Sequence, residues 1–346
     1  MDALLQDITV QELLRLHKER ELTLVDVRSP GEFKEFTIPG SLNIPLFDDR
    51  ERAEIGTTYK QVSIEAAKQR GLEIVSAKLP AFIREFQALG PNKAVFCWRG
   101  GMRSRTSATL LSLMGIRAYR LTGGIRAYRQ WVVRTLESFE LKPKVVVIAG
   151  HTGTGKSLLL RKLAERGYPV LDLERMAGHR GSIFGQIGLA PNNQKTFESL
   201  LVHELLRYED RPFVLMEAES RRIGRAVMPD FLAEAKASGI PIRIEVPLEE
   251  RIRHIVQEYR PQEHADACLA AFRQIRRRIH TPVAAQIERH LLDREFEEAA
   301  RLLLEYYYDP RYEHAEERYT MEPIRLRVRH ADEAVERIER ELERLF

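Results

Sequence analysis

The chain has 346 residues, 44% hydrophobic and 31% charged, with a formal net charge of +4. That length allows two domains with cores of their own, and the composition excludes a disordered or fibrous chain. Two cysteines, Cys97 and Cys268, exclude a disulfide framework and a cysteine-rich metal site, while the basic balance suits a nucleic-acid or phosphorylated partner without specifying one.

The N-terminal MDALLQDITVQELL carries acidic residues and no long apolar run, so no signal peptide is expected there. No segment nears about 18 uninterrupted apolar residues, so no membrane partner is expected and cytoplasm is the expected location. TLVDVR (23–28) reads as a buried strand and SPGEF (29–33) as a turn into a helix. AAKQRGLEIVSAKLPAFIREFQAL reads mainly as helix, KAVFCW (93–98) as a second buried strand and SRTSATLLSLMG (104–115) as an amphipathic helix stopped by glycine. RAYRLTGGIRAYRQWV (117–132) returns to the sheet and then to a helix. This alternation predicts a mostly parallel α/β sheet. ESFELKP (137–143) is a polar connector, after which the pattern restarts with KVVVIAG and continues through YPVLDL (168–173), RPFVLMEAE (211–219) and IPIRIEVP (240–247). From Glu249 onward strands are expected to vanish, leaving amphipathic helices through ADEAVERIERELERLF. The expected division is an α/β domain over 1–136, a second over 137–250, and a helical region over 251–346 that stands alone or joins the second.

FCWRGGMRSR (96–105) surrounds Cys97 with glycine and positive charge. A loop containing Gly100 and Gly101 can curl its N–H groups inward as an anion nest. The following helix N-terminus adds partial positive charge, and Arg99 and Arg103 add full charges. All three effects lower a thiol pKa, so Cys97 is expected to be largely thiolate and catalytic. LVDVRSPGEFKEFTIPGSLNIPL (24–46) resembles the N-terminal signature of rhodanese domains. The resemblance implies that Cys97 carries sulfur or selenium as a persulfide or selenopersulfide. Thr37 stands where many rhodanese domains have histidine and is given no catalytic role; Asp26 and Arg28 are expected to brace the loop.

GHTGTGKS (150–157) satisfies the phosphate-loop pattern between a strand and a helix. Backbone N–H groups from Gly150 through Thr152, Gly153, Thr154 and Gly155 are expected to cradle phosphates, with Lys156 neutralising them and Ser157 placed to touch magnesium. The acidic partner of that ion is open among Asp172, Glu217 and Glu219, and strand-end charges facing solvent are the other reading. Nucleotide hydrolysis does not follow from the motif. ERMAGHRGSIFGQIG (174–188) places His179, Arg180 and Ser182 just past a strand, as a ligand loop or a solvated one. Arg221, Arg222 and Arg225 cluster after the strand that ends near Glu217.

The two halves in this order, with DLERMAGHRGSIFG, PNNQKTFES and EAESRRIG, resemble the tRNA 2-selenouridine synthase family. The resemblance implies a transferase that replaces the sulfur of wobble 2-thiouridine in a tRNA anticodon loop by selenium. It implies geranyl diphosphate and selenophosphate as co-substrates, an S-geranyl intermediate, no tightly bound cofactor beyond magnesium, and a selenophosphate-supplying enzyme as partner. Arg276, Arg277 and Arg278 in FRQIRRRIH are expected to contact the tRNA backbone, or to form a solvated helix face. The competing reading is a thiosulfate-type sulfurtransferase fused to a P-loop kinase or NTPase that does not act on tRNA.

Overall fold

Short apolar, β-branched runs become the strands of two parallel sheets, one in each of two units, Met1–Glu137 and Ser138–Phe346. The computed structural model describes residues 5–20, 22–313 and 320–346.

The first unit runs β1 (Leu5–Ile8), α1 (Val10–Arg20), β2 (Thr23–Asp26), α2 (Pro30–Glu35), β3 (Leu42–Asn43), α3 (Asp49–Gln61), α4 (Ile64–Gln87), β4 (Lys93–Phe96), α5 (Met102–Leu113), β5 (Ala118–Leu121) and α6 (Gly124–Glu137). Its strands lie in the order β1-β5-β4-β2-β3, every pair parallel. β4 is central and all four of its residues are buried, as a strand covered on both faces requires. Val25, Val27, Val95, Phe86 and Leu111 belong to the core beneath it.

The second unit begins with β6 (Lys144–Ala149), α7 (Lys156–Glu165), β7 (Val170–Leu171), α8 (Leu173–Ala177), α9 (Gln194–Arg207) and β8 (Phe213–Glu217). A two-stranded antiparallel hairpin follows, β9 (Arg222–Ile223) with β10 (Ala226–Val227), then α10 (Asp230–Ala237) and β11 (Ile240–Glu245). The remainder is α11 (Leu248–Tyr259), α12 (Ala265–Ile275), α13 (Thr281–Leu292), α14 (Phe296–Leu303), α15 (Asp309–Glu313), β12 (Ile324–Arg327) and α16 (Ala331–Leu345). The sheet order is β12-β11-β6-β8-β7, again all parallel, with β6 in the centre.

Two sequence expectations are corrected here. Strands do not vanish after Glu249: β12 pairs with β11 at the sheet edge, and α16 packs Ala334, Val335 and Ile338 into the core around Val146, Leu160 and Leu215. IRLR is short and alternates apolar with arginine, the pattern of an edge strand blunted by charge, and Arg325 and Arg327 pair with Glu245 at 3.2 and 3.0 Å. Arg276, Arg277 and Arg278 are not α-helical; they continue α12 as a single 3-10 turn. Helices α12 to α14 bury a second cluster around Phe272, Ile287, Leu291 and Phe296. No helix among the described residues is long and apolar enough to cross a membrane.

Candidate functional sites: a cysteine loop and a phosphate loop

Cys97 follows β4, and the loop reaches α5 at Met102. The loop's carbonyls point one way: the N–H groups of Ile125 and Arg126, in the first turn of α6, donate to Cys97 O and Trp98 O at 2.9 and 3.1 Å. That contact needs Gly124, because a Cβ there would lie 2.2 Å from Cys97 O. No backbone acceptor among the described residues takes the N–H groups of Arg99 through Ser104, which leaves them free to serve an anion as a nest does. Gly100 adopts a φ of +65° and Gly101 caps α5.

The charge around the loop differs from the expectation. Arg99 is exposed. Arg103 is turned to Glu32, with its Nη2 donating to Oε1 at 3.1 Å. A second guanidinium, Arg120 on β5, went unrecognised in the sequence; its Nη1 donates to Gly100 O at 3.2 Å while Nε holds Asp7 at 2.7 Å. Arg103 and Arg120 both lie within electrostatic reach of the Cys97 sulfur. Cys97 is 3% exposed, and its Sγ sits 3.2 Å from Ser104 Oγ. Trp98 and Met102 project outward beside it, 45% and 58% exposed. Asp26 and Arg28 form a buried pair, with Arg28 Nη2 also donating to Phe36 O and Thr37 Oγ1 donating to Asp26 at 3.0 Å. They fix the turn after β2.

The phosphate loop follows β6 and ends at Gly155, a left-handed residue that caps α7. Lys156 Nζ donates to Gly150 O at 3.1 Å and to His151 O at 3.3 Å, lying back across the loop. Thr154 Oγ1 donates to His151 O at 2.9 Å. From outside, Arg251 Nε donates to Thr152 O at 2.9 Å, and the His254 ring contacts Gly153 O at 3.0 Å. Arg251 also holds Asp309 through Nη1 at 2.9 Å, and Asp309 meets His151 Nδ1 at 3.3 Å. Burial lowers the His151 pKa, consistent with a neutral ring whose Nε2 accepts from Arg243 at 2.8 Å.

Ser157 Oγ donates to Glu174 at 2.8 Å. Glu174, Glu217 and Glu219 present one oxygen each within 4.8 Å of one another. Glu217 is 2% exposed and its Oε1 has no hydrogen-bond partner. Burial and then the neighbouring carboxylates push Glu174 far up; burial, Glu219 and Asp172 push Glu217 up to about 8 against the pull of Lys156. An orphaned buried carboxylate oxygen facing two more acids and a serine hydroxyl is a donor set that fits magnesium. Of the three acids left open by the sequence, Glu217 and Glu219 are here. Asp172 instead accepts from Arg175 N at 2.9 Å as the cap of α8. Glu174 was missed, because it reads as an ordinary polar residue of a helix; only the turn of α8 brings it to Ser157.

These groups open on a cleft of about 600 Å³ that the phosphate loop shares with Arg180, Ser182, Arg221 and Tyr259. Arg180 is a brace: its Nη1 donates to Ile187 O at 2.8 Å and its guanidinium lies 4.9 Å over the Tyr259 ring. Ser182 Oγ meets Tyr259 OH at 3.2 Å. His179 Nδ1 accepts from Gly181 N at 3.1 Å, and burial lowers its pKa. Arg221 pairs with Asp230 at the cleft, while Arg222 and Arg225 are exposed on the β9–β10 hairpin. Arg276 pairs with Glu288 at 3.1 Å, and Arg277 and Arg278 are exposed.

Two family models match the chain. Residues 9–130 match a rhodanese-like domain, and 143–343 match the tRNA 2-selenouridine synthase AAA domain. A tRNA 2-selenouridine synthase of Bdellovibrio bacteriovorus is 36% identical over 264 residues, 74% of this chain and 69% of that one. One of Nitrosomonas europaea is 36% identical over 261 residues, 73% and 67% of the two chains. Among solved structures, the N-terminal domain of a putative ATP/GTP binding protein from Clostridium difficile is 37% identical over 37% of this chain and 99% of that chain, with a TM-score of 0.35. With its phosphate-loop half matched from end to end and a rhodanese-like half before it, the chain belongs to the tRNA 2-selenouridine synthase family.

Proposed function

We propose that this chain replaces the sulfur of a wobble 2-thiouridine in tRNA by selenium in two transfers, one at each loop. The observation that carries the reading is the phosphate loop with a buried carboxylate, one of its oxygens without a hydrogen-bond partner, beside Ser157 and Lys156, which suits a diphosphate with its divalent ion. In the first transfer the 2-thiouridine sulfur attacks C1 of geranyl diphosphate. The S–C bond forms, the C–O bond breaks, the N3 proton is lost, and diphosphate departs. Lys156 and the loop N–H groups stabilise charge building on the departing oxygens. Glu217, Glu219 and Glu174 with Ser157 would hold magnesium, which neutralises the diphosphate when bound.

In the second transfer a selenide equivalent adds at C2 and geranylthiolate leaves, an exchange without net oxidation. Cys97 serves this step at the mouth of its loop, where Arg103 and Arg120 face its sulfur and favour an anionic donor. Selenophosphate supplies selenium already at the selenide level. Its selenium forms the C2–Se bond as the C2–S bond to geranylthiolate breaks, water cleaves the P–Se bond to release phosphate, and no selenopersulfide is needed. The exposed Trp98 ring offers a stacking face for an unstacked base. Alkylation turns a poor leaving group into a good one, which is why the halves act in this order.

The test is nucleoside mass analysis of a 2-thiouridine anticodon stem-loop incubated with the protein, magnesium and geranyl diphosphate, then with selenophosphate. S-geranyl-2-thiouridine followed by 2-selenouridine is expected. Selenouridine formed without geranyl diphosphate, or ATP hydrolysis with no geranyl transfer, would reject the reading.

A further inference from the structure

Behind the phosphate loop the second unit holds another cavity. Its wall is almost wholly apolar, with Phe184, Leu291, Phe296, Ala300 and Leu303 among its lining and Cys268 as its one thiol. Burial pushes the Cys268 thiol up to about 11, so it stays neutral and adds no charge. Thr152, Ile255, Tyr259 and Tyr308 line both this cavity and the phosphate cleft. The two spaces therefore meet at the loop, one polar and one greasy. Magnesium and phosphate have no use for the second.

We propose that the apolar cavity between α11, α13 and α14 binds the far end of the prenyl tail and sets its length at two isoprene units. The proposal rests on the geranyl-transfer reading above and adds where the chain lies and what measures it. The cavity is about 60 Å³. It is a tenth of the phosphate cleft, room for a short branched hydrocarbon end and not for a long chain. The unit nearer the diphosphate occupies the shared mouth between Ile255, Tyr259 and Tyr308. A third unit would overrun the wall. Ala300 sits in that wall on α14, packed with Ile252 and Leu304, where a larger side chain fills the space from one side.

The test is calorimetric binding of inorganic, dimethylallyl, geranyl and farnesyl diphosphates to the full chain with magnesium. Burying one isoprene unit should make geranyl diphosphate bind more than about tenfold tighter than inorganic diphosphate and dimethylallyl diphosphate, with farnesyl diphosphate weaker than geranyl. Ala300→Leu should bring geranyl diphosphate down to the dimethylallyl level while inorganic diphosphate binds as before. Leu291→Ala, which widens the cavity, should raise farnesyl affinity. Equal binding of geranyl and inorganic diphosphate by the unmodified protein overturns the proposal while leaving the phosphate site intact. Farnesyl binding as tight as geranyl overturns the length assignment. Binding of none of the four rejects the geranyl-transfer reading itself, and the tail site with it.

Discussion

The cysteine loop and the phosphate loop are the same backbone device set in two chemical surroundings. Each leaves the C-terminal end of the central strand of a five-stranded parallel sheet, β4 or β6, and runs through glycines into a helix N-terminus. Each ends at a helix N-terminus, whose N–H groups favour an anion. The surroundings differ in sign. Around Cys97 the charges are already matched, Arg103 to Glu32 and Arg120 to Asp7, so the loop is complete for a single anion. Around Ser157 three carboxylates crowd against the single ammonium of Lys156, and Glu217 Oε1 has no hydrogen-bond partner. On the proposed reading, that loop is completed by a divalent ion arriving with its anion. Loop geometry, on this reading, favours an anion and the charges behind the loop select its kind.

The sharpest way to break this comparison is a pair of substitutions. Lys156→Ala should lower geranyl transfer by about 100-fold or more and leave alkylation of Cys97 by iodoacetamide unchanged. Cys97→Ser should do the converse, abolishing selenium incorporation while S-geranyl-2-thiouridine accumulates. Mass analysis of the nucleosides reads both, and a single variant that stops both transfers would merge the two sites into one.

Next in size is the brace beneath the cysteine loop. Asp26→Ala leaves the Arg28 guanidinium buried without its partner, which should cost about 3–5 kcal/mol of first-unit stability. Denaturant unfolding followed by a probe in that unit checks it. A loss below about 1 kcal/mol would mean that the pair is wetter than its burial of 0% and 2% indicates.

The acid cluster predicts a pH dependence confined to the second unit. The folded pKa of Glu217 lies above its unfolded value, so the folded state binds the extra proton. Without magnesium, stability contributed by this group is full below the ordinary carboxylate range near 4.5 and is lost as pH rises toward about 8. Magnesium should restore it and release protons on binding, so its affinity should rise with pH. Glu217→Gln should flatten the thermal-midpoint profile between those limits and weaken magnesium. An unchanged profile would remove Glu217 from the cation site.

The smallest effect is expected from the arginine turn. Neutralising Arg276, Arg277 and Arg278 together should lower the salt slope of tRNA binding by about 2 to 3, with Arg276 contributing least because Glu288 already pairs it. Parallel salt plots of equal height would place this turn outside the RNA-binding surface. The chemistry at both loops should be untouched.

The sequence by itself determined both loops, because each lies within a dozen contiguous residues whose type fixes the backbone: a β-branched strand, glycines, then a helix start. KAVFCWRGGMR and VVVIAGHTGTGKS could be read without a partner in view. It also marked Glu217 and Glu219, which end a strand beside the second loop. It could not mark Glu174 or Arg120, each an ordinary residue of a helix or strand until the sheet sets it against Ser157 or Gly100. Nor did it show β12, whose four residues become a strand only by pairing with β11, or the apolar cavity, whose wall is drawn from helices more than a hundred residues beyond Thr152. Local backbone form follows from short-range sterics and propensity. Charge compensation, edge pairing and empty space are properties of what long-range packing brings together, and only the tertiary structure decided them.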